Sequence, residues 1–305
     1  MEIVSLLIRQ NLIMLIYLLV GYFLFRKKLA GIQGSADMGR MLLYIVMPAA
    51  IIKSYLAAGF SADMLAGLAV SFAAALLSLI LAIIVSRIAF NKEESVERFG
   101  AAFSNAGFIG IPLVQMTLGT EAVFYIASFV ALLNILQWTY GVRIMTGDKS
   151  AVSVRKIVTN PIVLSFLAGL CLFFLPVSLP DTLESVVTSL SAMNGPLAMI
   201  ILGMYLAQVP LRSLFTDPLA FRCTLIRLIV IPLLTIPVLM VFPGQYELIK
   251  LAVLITASAP VGSNVAIFAQ LYRLDYTQAV KEICISTLLC IITMPLIAGI
   301  GGCIF

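Results

Sequence analysis

The 305-residue chain is 62% hydrophobic and 11% charged, with mean hydropathy +1.13. A soluble domain carries about 25% charged residues, so this composition excludes an ordinary soluble protein and puts most of the chain in a bilayer. The net charge of +5 comes from basic residues that punctuate apolar runs, a membrane pattern and not a nucleic-acid footprint.

The first apolar run begins almost at Met1 and reaches Phe25 before Arg26, Lys27 and Lys28. It has no small-residue cleavage site, and its charges follow the apolar stretch, so it reads as a retained span and not a signal peptide. Runs of about 20 apolar residues predict about ten spans. They cover 4–25, 40–58, 64–88, 98–118, 121–145, 156–178, 187–208, 218–242, 246–271 and 278–302, and the longest polar connections are 26–39, 89–97 and 143–156. With the N-terminus outside, all of the 19 Lys and Arg residues except Arg9, Lys53 and Lys250 fall at cytoplasmic ends. This asymmetry predicts both termini, and the loop at 179–186, on the outer face.

The halves read as copies. Gly21 and Gly169, Pro48 and Pro196, and Pro112 and Pro260 are each 148 positions apart. A five-span copy has an odd number of spans, so residues 1–150 and 151–305 form two inverted five-helix repeats, a recurrent transporter plan.

Two spans are interrupted. The stretch AAFSNAGFIGIPLVQMTL at 101–118 places Asn105, Gly107, Gly110 and Pro112 inside an apolar run. The stretch TASAPVGSNVAIFAQLY at 256–272 does the same with Ser258, Pro260, Gly262, Ser263 and Asn264. Glycine loosens a helix and proline removes a donor, and a broken helix in hydrocarbon is tolerated only where protein, water or ligand satisfies its backbone. The expected arrangement starts a half-helix after each break, with Pro112 and Pro260 in the first turns and Ser258 or Ser263 as a cap. The two N-termini then converge on an anion site. Asn105, Gly110, Pro112, Gln115, Ser258, Pro260, Ser263 and Asn264 are the candidate substrate-binding residues. Lys53 and Arg227 are candidate charge partners, each also placed to snorkel towards an interface. Asn134 and Gln137 read as interhelical hydrogen-bonders. Glu121 reads as a helix-start acid and Glu282 as an interfacial charge beside Lys281. The 14 Asp and Glu residues fall in loops or near span ends, which leaves no evident midplane carboxylate for proton exchange.

The chain has no histidine, which excludes His triads, His metal sites and His proton relays. Cys171, Cys223, Cys284, Cys290 and Cys303 form no C-x-x-C pair, so no metal or cofactor is expected. An intramembrane enzyme is disfavoured on the same grounds.

The N-x-G-x-x-G-x-P pattern from Asn105 to Pro112, GYFLFRKK followed by MPAAI, and SAPVGSNVAIFAQLY followed by STLL resemble the auxin efflux carrier family across essentially the whole chain. That family includes plant auxin exporters and bacterial permeases for malate, malonate and similar acids. The resemblance implies an all-α integral membrane fold of ten transmembrane helices, with two helices crossing at Pro112 and Pro260, similar to bile acid:sodium symporters. It also implies a scaffold and a transport domain and a homodimer. The long cytoplasmic loop of many plant members is absent; only 143–156 stands there. The expected activity is secondary transport, outward, of small organic anions such as carboxylates or auxin-like acids across the plasma membrane, by alternating access. A sodium-coupled symporter of bile-acid type and a non-transporting receptor for small acids are the alternatives.

Overall fold

A computed structural model describes residues 2–58, 61–148, 151–175, 179–208 and 216–305. Lys149 and Arg212, counted in the charge asymmetry above, lie outside them. The described residues are helical apart from short links, and their one β-type contact is an isolated antiparallel bridge between Ser104 and Val261. In chain order the helices of eight residues or more are α1 (Glu2–Arg26), α2 (Ile32–Ala57), α3 (Ala62–Ala89), α4 (Ser95–Ala102), α5 (Ala106–Leu118) and α6 (Thr120–Thr146). There follow α7 (Pro161–Phe174), α8 (Asp181–Ala207), α9 (Pro218–Met240), α10 (Glu247–Ala257), α11 (Asn264–Leu271) and α12 (Tyr276–Ile304). Six of these runs, α2, α3, α6, α8, α9 and α12, are long and apolar enough to cross a membrane. The chain is a multi-pass membrane protein.

Two helices begin earlier than the sequence suggests. The polar connection 26–39 becomes helical at Ile32, and the expected loop 179–186 is helical from Asp181. Ser35 is buried with its hydroxyl donating to Ile32 O at 2.7 Å, while Gln33 and Arg40 both donate to Asp37 Oδ1 along the exposed face. At Asp181 the acids Asp181 and Glu184 occupy the first turn, where they favour the positive helix end.

Three prolines share a mark. The π-helical turns Leu42–Val46, Ala106–Gly110 and Ile226–Val230 each stand just ahead of a proline, Pro48, Pro112 and Pro232. A proline ring crowds the carbonyl four residues back and cannot donate to it. Widening the turn accommodates the carbonyls of Tyr44, Phe108 and Leu228 without breaking the helix.

Close backbone approach sets two helix pairs. A Cβ on Gly21 of α1 would overlap Ile200 O of α8, and one on Gly203 would overlap Leu18 O. Gly169 of α7 faces the Tyr55 ring of α2 in the same way. Tyr55 is buried and stacks 4.7 Å from Phe124 of α6, which stands 5.1 Å from Phe173.

Candidate functional site

The site is built where α4 and α10 stop. Phe103 turns to extended backbone (φ −116°, ψ 110°), Ser104 pairs with Val261, and α5 begins at Ala106. Asn105 N donates to Pro260 O at 2.7 Å, and Gly262 N donates to Phe103 O at 3.0 Å. The two unwound segments therefore run antiparallel and pair the backbone groups that the breaks would orphan. Gly262 is required by this approach, because a Cβ there would lie 3.0 Å from both Phe103 O and Ser104 O. Val261 N donates to Ser286 Oγ on α12 at 3.0 Å, and Ser104 Oγ donates to Thr256 O at 3.3 Å.

Arg227 lies beneath the crossing. It is 2% exposed, so it does not snorkel, which corrects the interfacial reading. Its guanidinium donates to Ala101 O at 3.0 Å, to Ala102 O at 3.5 Å, and to Ala257 O. It thereby caps the C-termini of both α4 and α10. Each helix end carries about half a unit of charge, negative at the C-terminus. One cation offsets the two negative ends, while the positive N-termini of α5 and α11 open on the same junction without an acidic side chain among the lining residues.

A cavity of about 30 Å³ at the junction is lined by Ser104, Asn105, Gly107, Phe108, Asn134, Gln137, Gly262, Ser263 and Asn264, with Leu43, Met47, Leu133 and Ile162. It shares Leu43, Phe108, Asn134, Ser263 and Asn264 with a vestibule of about 490 Å³, which Arg40, Tyr44, Trp138, Asn160 and Tyr205 also line. The larger volume lies in the range of small-ligand pockets. Asn264 Nδ2 donates to Gln137 Oε1 at 2.7 Å, and Asn160 Nδ2 donates to Asn134 Oδ1 at 3.4 Å. Asn105 is 4% exposed and its Nδ2 has no hydrogen-bond partner. A buried amide donor left open in this way is a feature a ligand can satisfy.

The predicted residues divide. Asn105, Ser263 and Asn264 line the junction. Pro260 holds the crossing through its carbonyl. Ser258 caps nothing; its hydroxyl returns to Leu254 O at 2.7 Å, and Ser263 makes no capping bond either. Pro112 does not start the half-helix, because the break precedes Ala106 and the π turn carries the helix through to the proline; it packs instead towards Gly195 of α8. Gly110 faces Thr256, and Gln115 is half-buried on α5; neither lines the junction cavity or the vestibule. Lys53 is half-buried on α2 and also lines neither.

Sequence reasoning understated Asn134 and Gln137, which bond neighbours as expected and also line the junction. It missed Asn160, Tyr44, Trp138 and Tyr205 in the vestibule. An Asn-Pro pair at a helix start was the available signal for Asn160, whose Oδ1 accepts from Ile162 N and Val163 N. Nothing marks the three aromatics in an already apolar chain.

Residues 7–298 match the family described as Membrane transport protein. The chain belongs to that family. It is the family of auxin efflux carriers and bacterial permeases anticipated from the two interrupted stretches, and it makes the chain a membrane transport protein and not an enzyme. A relative in Rhizobium meliloti (strain 1021), whose printed description is "Putative malonate transporter", is 28% identical over 217 residues, 66% of this chain and 65% of that protein. The matched part thus spans a little under two thirds of the relative's length.

Proposed function

We propose that this membrane transport protein carries small organic anions, carboxylates first, by alternating access around the crossing. The observation that carries the proposal is the sorting of helix ends: Arg227 neutralises the C-termini of α4 and α10, and the N-termini of α5 and α11 face a cavity with Asn105 Nδ2 left open. Backbone donors and positive helix ends suit a carboxylate. Malonate, after the relative's description, is the first ligand to try.

The proposed architecture has ten spans in two inverted repeats, 1–150 and 151–305, counting α4 with α5 and α10 with α11 as single broken spans. Repeat-related contacts support it. Gly21 presses on α8 and Gly169 on α2, and Gly203, the counterpart of Tyr55 at the same offset, meets Leu18. The first two spans of each repeat would form the scaffold, and the remaining spans a transport group that shifts against it. The termini lie outside, in the plasma membrane, and the protein forms a homodimer. An anion carried with net negative charge is driven outward by an inside-negative potential worth about 2.3 kcal/mol per charge per 100 mV.

Current on a solid-supported membrane tests the function. Malonate should evoke current in sodium and in sodium-free buffer, and neutral malonamide should evoke none. Current that vanishes without sodium would install the sodium-coupled alternative. Malonate binding with no flux into proteoliposomes would install the receptor alternative. Single cysteines at the exposed positions Gln33 and Asp181 should label from opposite sides; labelling from one side removes the inverted topology.

A further inference from the structure

Glu282 was expected at an interface, yet it is 0% exposed on α12, and neither of its carboxylate oxygens has a hydrogen-bond partner. Its place explains the burial. A Cβ added to Gly100 of α4 would collide with Glu282 Oε2, and would lie 3.3 Å from Cys223 Sγ of α9 and 3.2 Å from Val261 Cγ1 of the crossing. One turn further along α12, Ser286 accepts the Val261 N–H and donates to Glu282 O at 2.7 Å. The carboxylate is therefore wedged between the first half of one broken span and the unwound link of the other.

A second group points into the same spot. Gln278, one turn before Glu282, is 8% exposed; its Nε2 has no hydrogen-bond partner and neighbours the carboxylate. The charged and titratable groups on the packed elements are few. On α4 there are Glu97, 6% exposed, and Arg98, whose guanidinium donates to Tyr140 Oη at 2.9 Å. On α9 there are Cys223, whose thiol donates to Glu97 O at 3.5 Å, and Arg227, whose N–H groups are committed to the carbonyls of α4 and α10. Lys250 of α10 lies at the other end of α12, over the Phe305 ring. From α8 comes Tyr205, from α1 the apolar Leu18, and α11 has no titratable residue. Two ion pairs, Arg222–Glu94 at 2.6 Å and Lys281–Asp217 at 2.9 Å, stand beside this cluster at the starts of α4, α9 and α12.

We propose that Glu282 holds a transported proton, so that each organic anion crossing the membrane is accompanied by one proton carried as the Glu282 carboxylic acid. The proposal rests on the anion-transport reading above. An ionised carboxylate without a counter-ion is strongly disfavoured in such a site, and protonation removes the charge. The step is a proton transfer from water to a carboxylate oxygen on one side and its return to water on the other; no bond in the substrate changes. An anion arriving at the junction adds negative charge across Val261 from Glu282, which strengthens proton binding, and by reciprocity the proton strengthens anion binding. Malonate as a dianion then moves with one net negative charge per cycle, and still leaves down an inside-negative potential.

The test uses the full-length protein in lipid, with malonate as probe. On malonate binding in weakly buffered alkaline medium, at a pH where the ligand-free Glu282 band has titrated away, wild type should take up a proton, up to one per ligand, and Glu282→Gln should take up none. Infrared spectra at neutral pH should show a protonated-carboxyl band that is lost in Glu282→Gln and kept in Glu93→Gln, a control at an exposed loop position. Glu282→Gln keeps the size and shape of the protonated acid, so it should fold, and Glu282→Asp should restore the proton uptake. Malonate binding without proton uptake by wild type, or uptake and band unchanged in Glu282→Gln, overturns the proposal. Loss of the band in Glu282→Gln without any malonate binding by wild type leaves the proton site standing and rejects the anion reading.

Discussion

The two breaks share a plan and differ in how they are held. At the second break, Val261 is fastened to Ser286 of α12, and Asn264 to Gln137 of α6. At the first, Asn105 gives its backbone N–H to Pro260 O, but its side-chain Nδ2 reaches nothing. The second break is thus tied to surrounding helices and the first is tied chiefly to the second. Under the proposed function this difference decides which side answers a ligand: binding would complete Asn105, whereas at Asn264 it would compete with a bond already made.

Removing what the two breaks have in common should cost most. Arg227→Met leaves the carbonyls of Ala101 and Ala257 buried and without their donor. A hydrogen bond to a charged group contributes roughly 1.5–3 kcal/mol, so a loss of about 3 kcal/mol or more is expected as a lower unfolding temperature in detergent. An unchanged temperature would mean that the crossing does not depend on this cap.

The asymmetry itself is tested by a pair of substitutions. Asn105→Ala should weaken malonate binding by about 1–3 kcal/mol and barely change the unfolding temperature, because no protein partner is lost. Asn264→Ala should lower both, since it also strands Gln137. Equal effects of the two variants on stability would erase the distinction. At the backbone level, Gly262→Ala should destabilise by about 1–3 kcal/mol, since its Cβ meets two carbonyls. Gly110→Ala should cost less, because the nearest obstacle is the Thr256 methyl at 3.3 Å. Thermal melts of both variants read the order directly.

The smallest effect belongs to the outer ion pairs. The Asn91 N–H, and then the Arg222 guanidinium, hold Glu94 below the usual carboxylate range. Burial acts to raise Asp217, but the Lys281 ammonium and the Ala220 N–H outweigh it and keep that group low as well. With folded-state values depressed, their contribution is present above the usual carboxylate range and is lost only as pH falls through the lowered values. Glu94→Gln should therefore cost at most about 1 kcal/mol. It should leave the pH dependence of malonate-evoked current unchanged between pH 6 and 8, roughly, where ordinary carboxylates are already ionised. A shifted pH profile in that variant would tie the outer pairs to the transport cycle.

The broken spans were legible because Asn, Gly and Pro stand out in hydrocarbon sequence. Their register was not. A proline reads as a break, yet Pro112 sits inside a helix that a π turn carries past it, and the true break at Phe103–Asn105 ends seven residues before that proline. Arg227 and Glu282 were misplaced for a related reason. Counting along a span puts both near a helix end, but the ends of α4 and α10 fold over Arg227, and α4 and the Val261 link fold over Glu282; the α4 carbonyls come from more than a hundred positions away from Arg227. Asn264 lines the junction as its place beside the break suggests, whereas its bond to Gln137 joins positions 127 apart and has no local signature.

The crossing also bears on how the protein is made. Ala101 O and Phe103 O are synthesised long before Arg227 and Gly262, the residues that satisfy them. Until α9 and the second link emerge from the ribosome, the nascent first half carries open backbone groups at its centre, in a solvent that offers none in return. Insertion of this half can be early, but its closure must wait for the other. A chain arrested near residue 200 should therefore be membrane-integrated yet unfold at a lower temperature in detergent, and a separately expressed second half should raise that temperature.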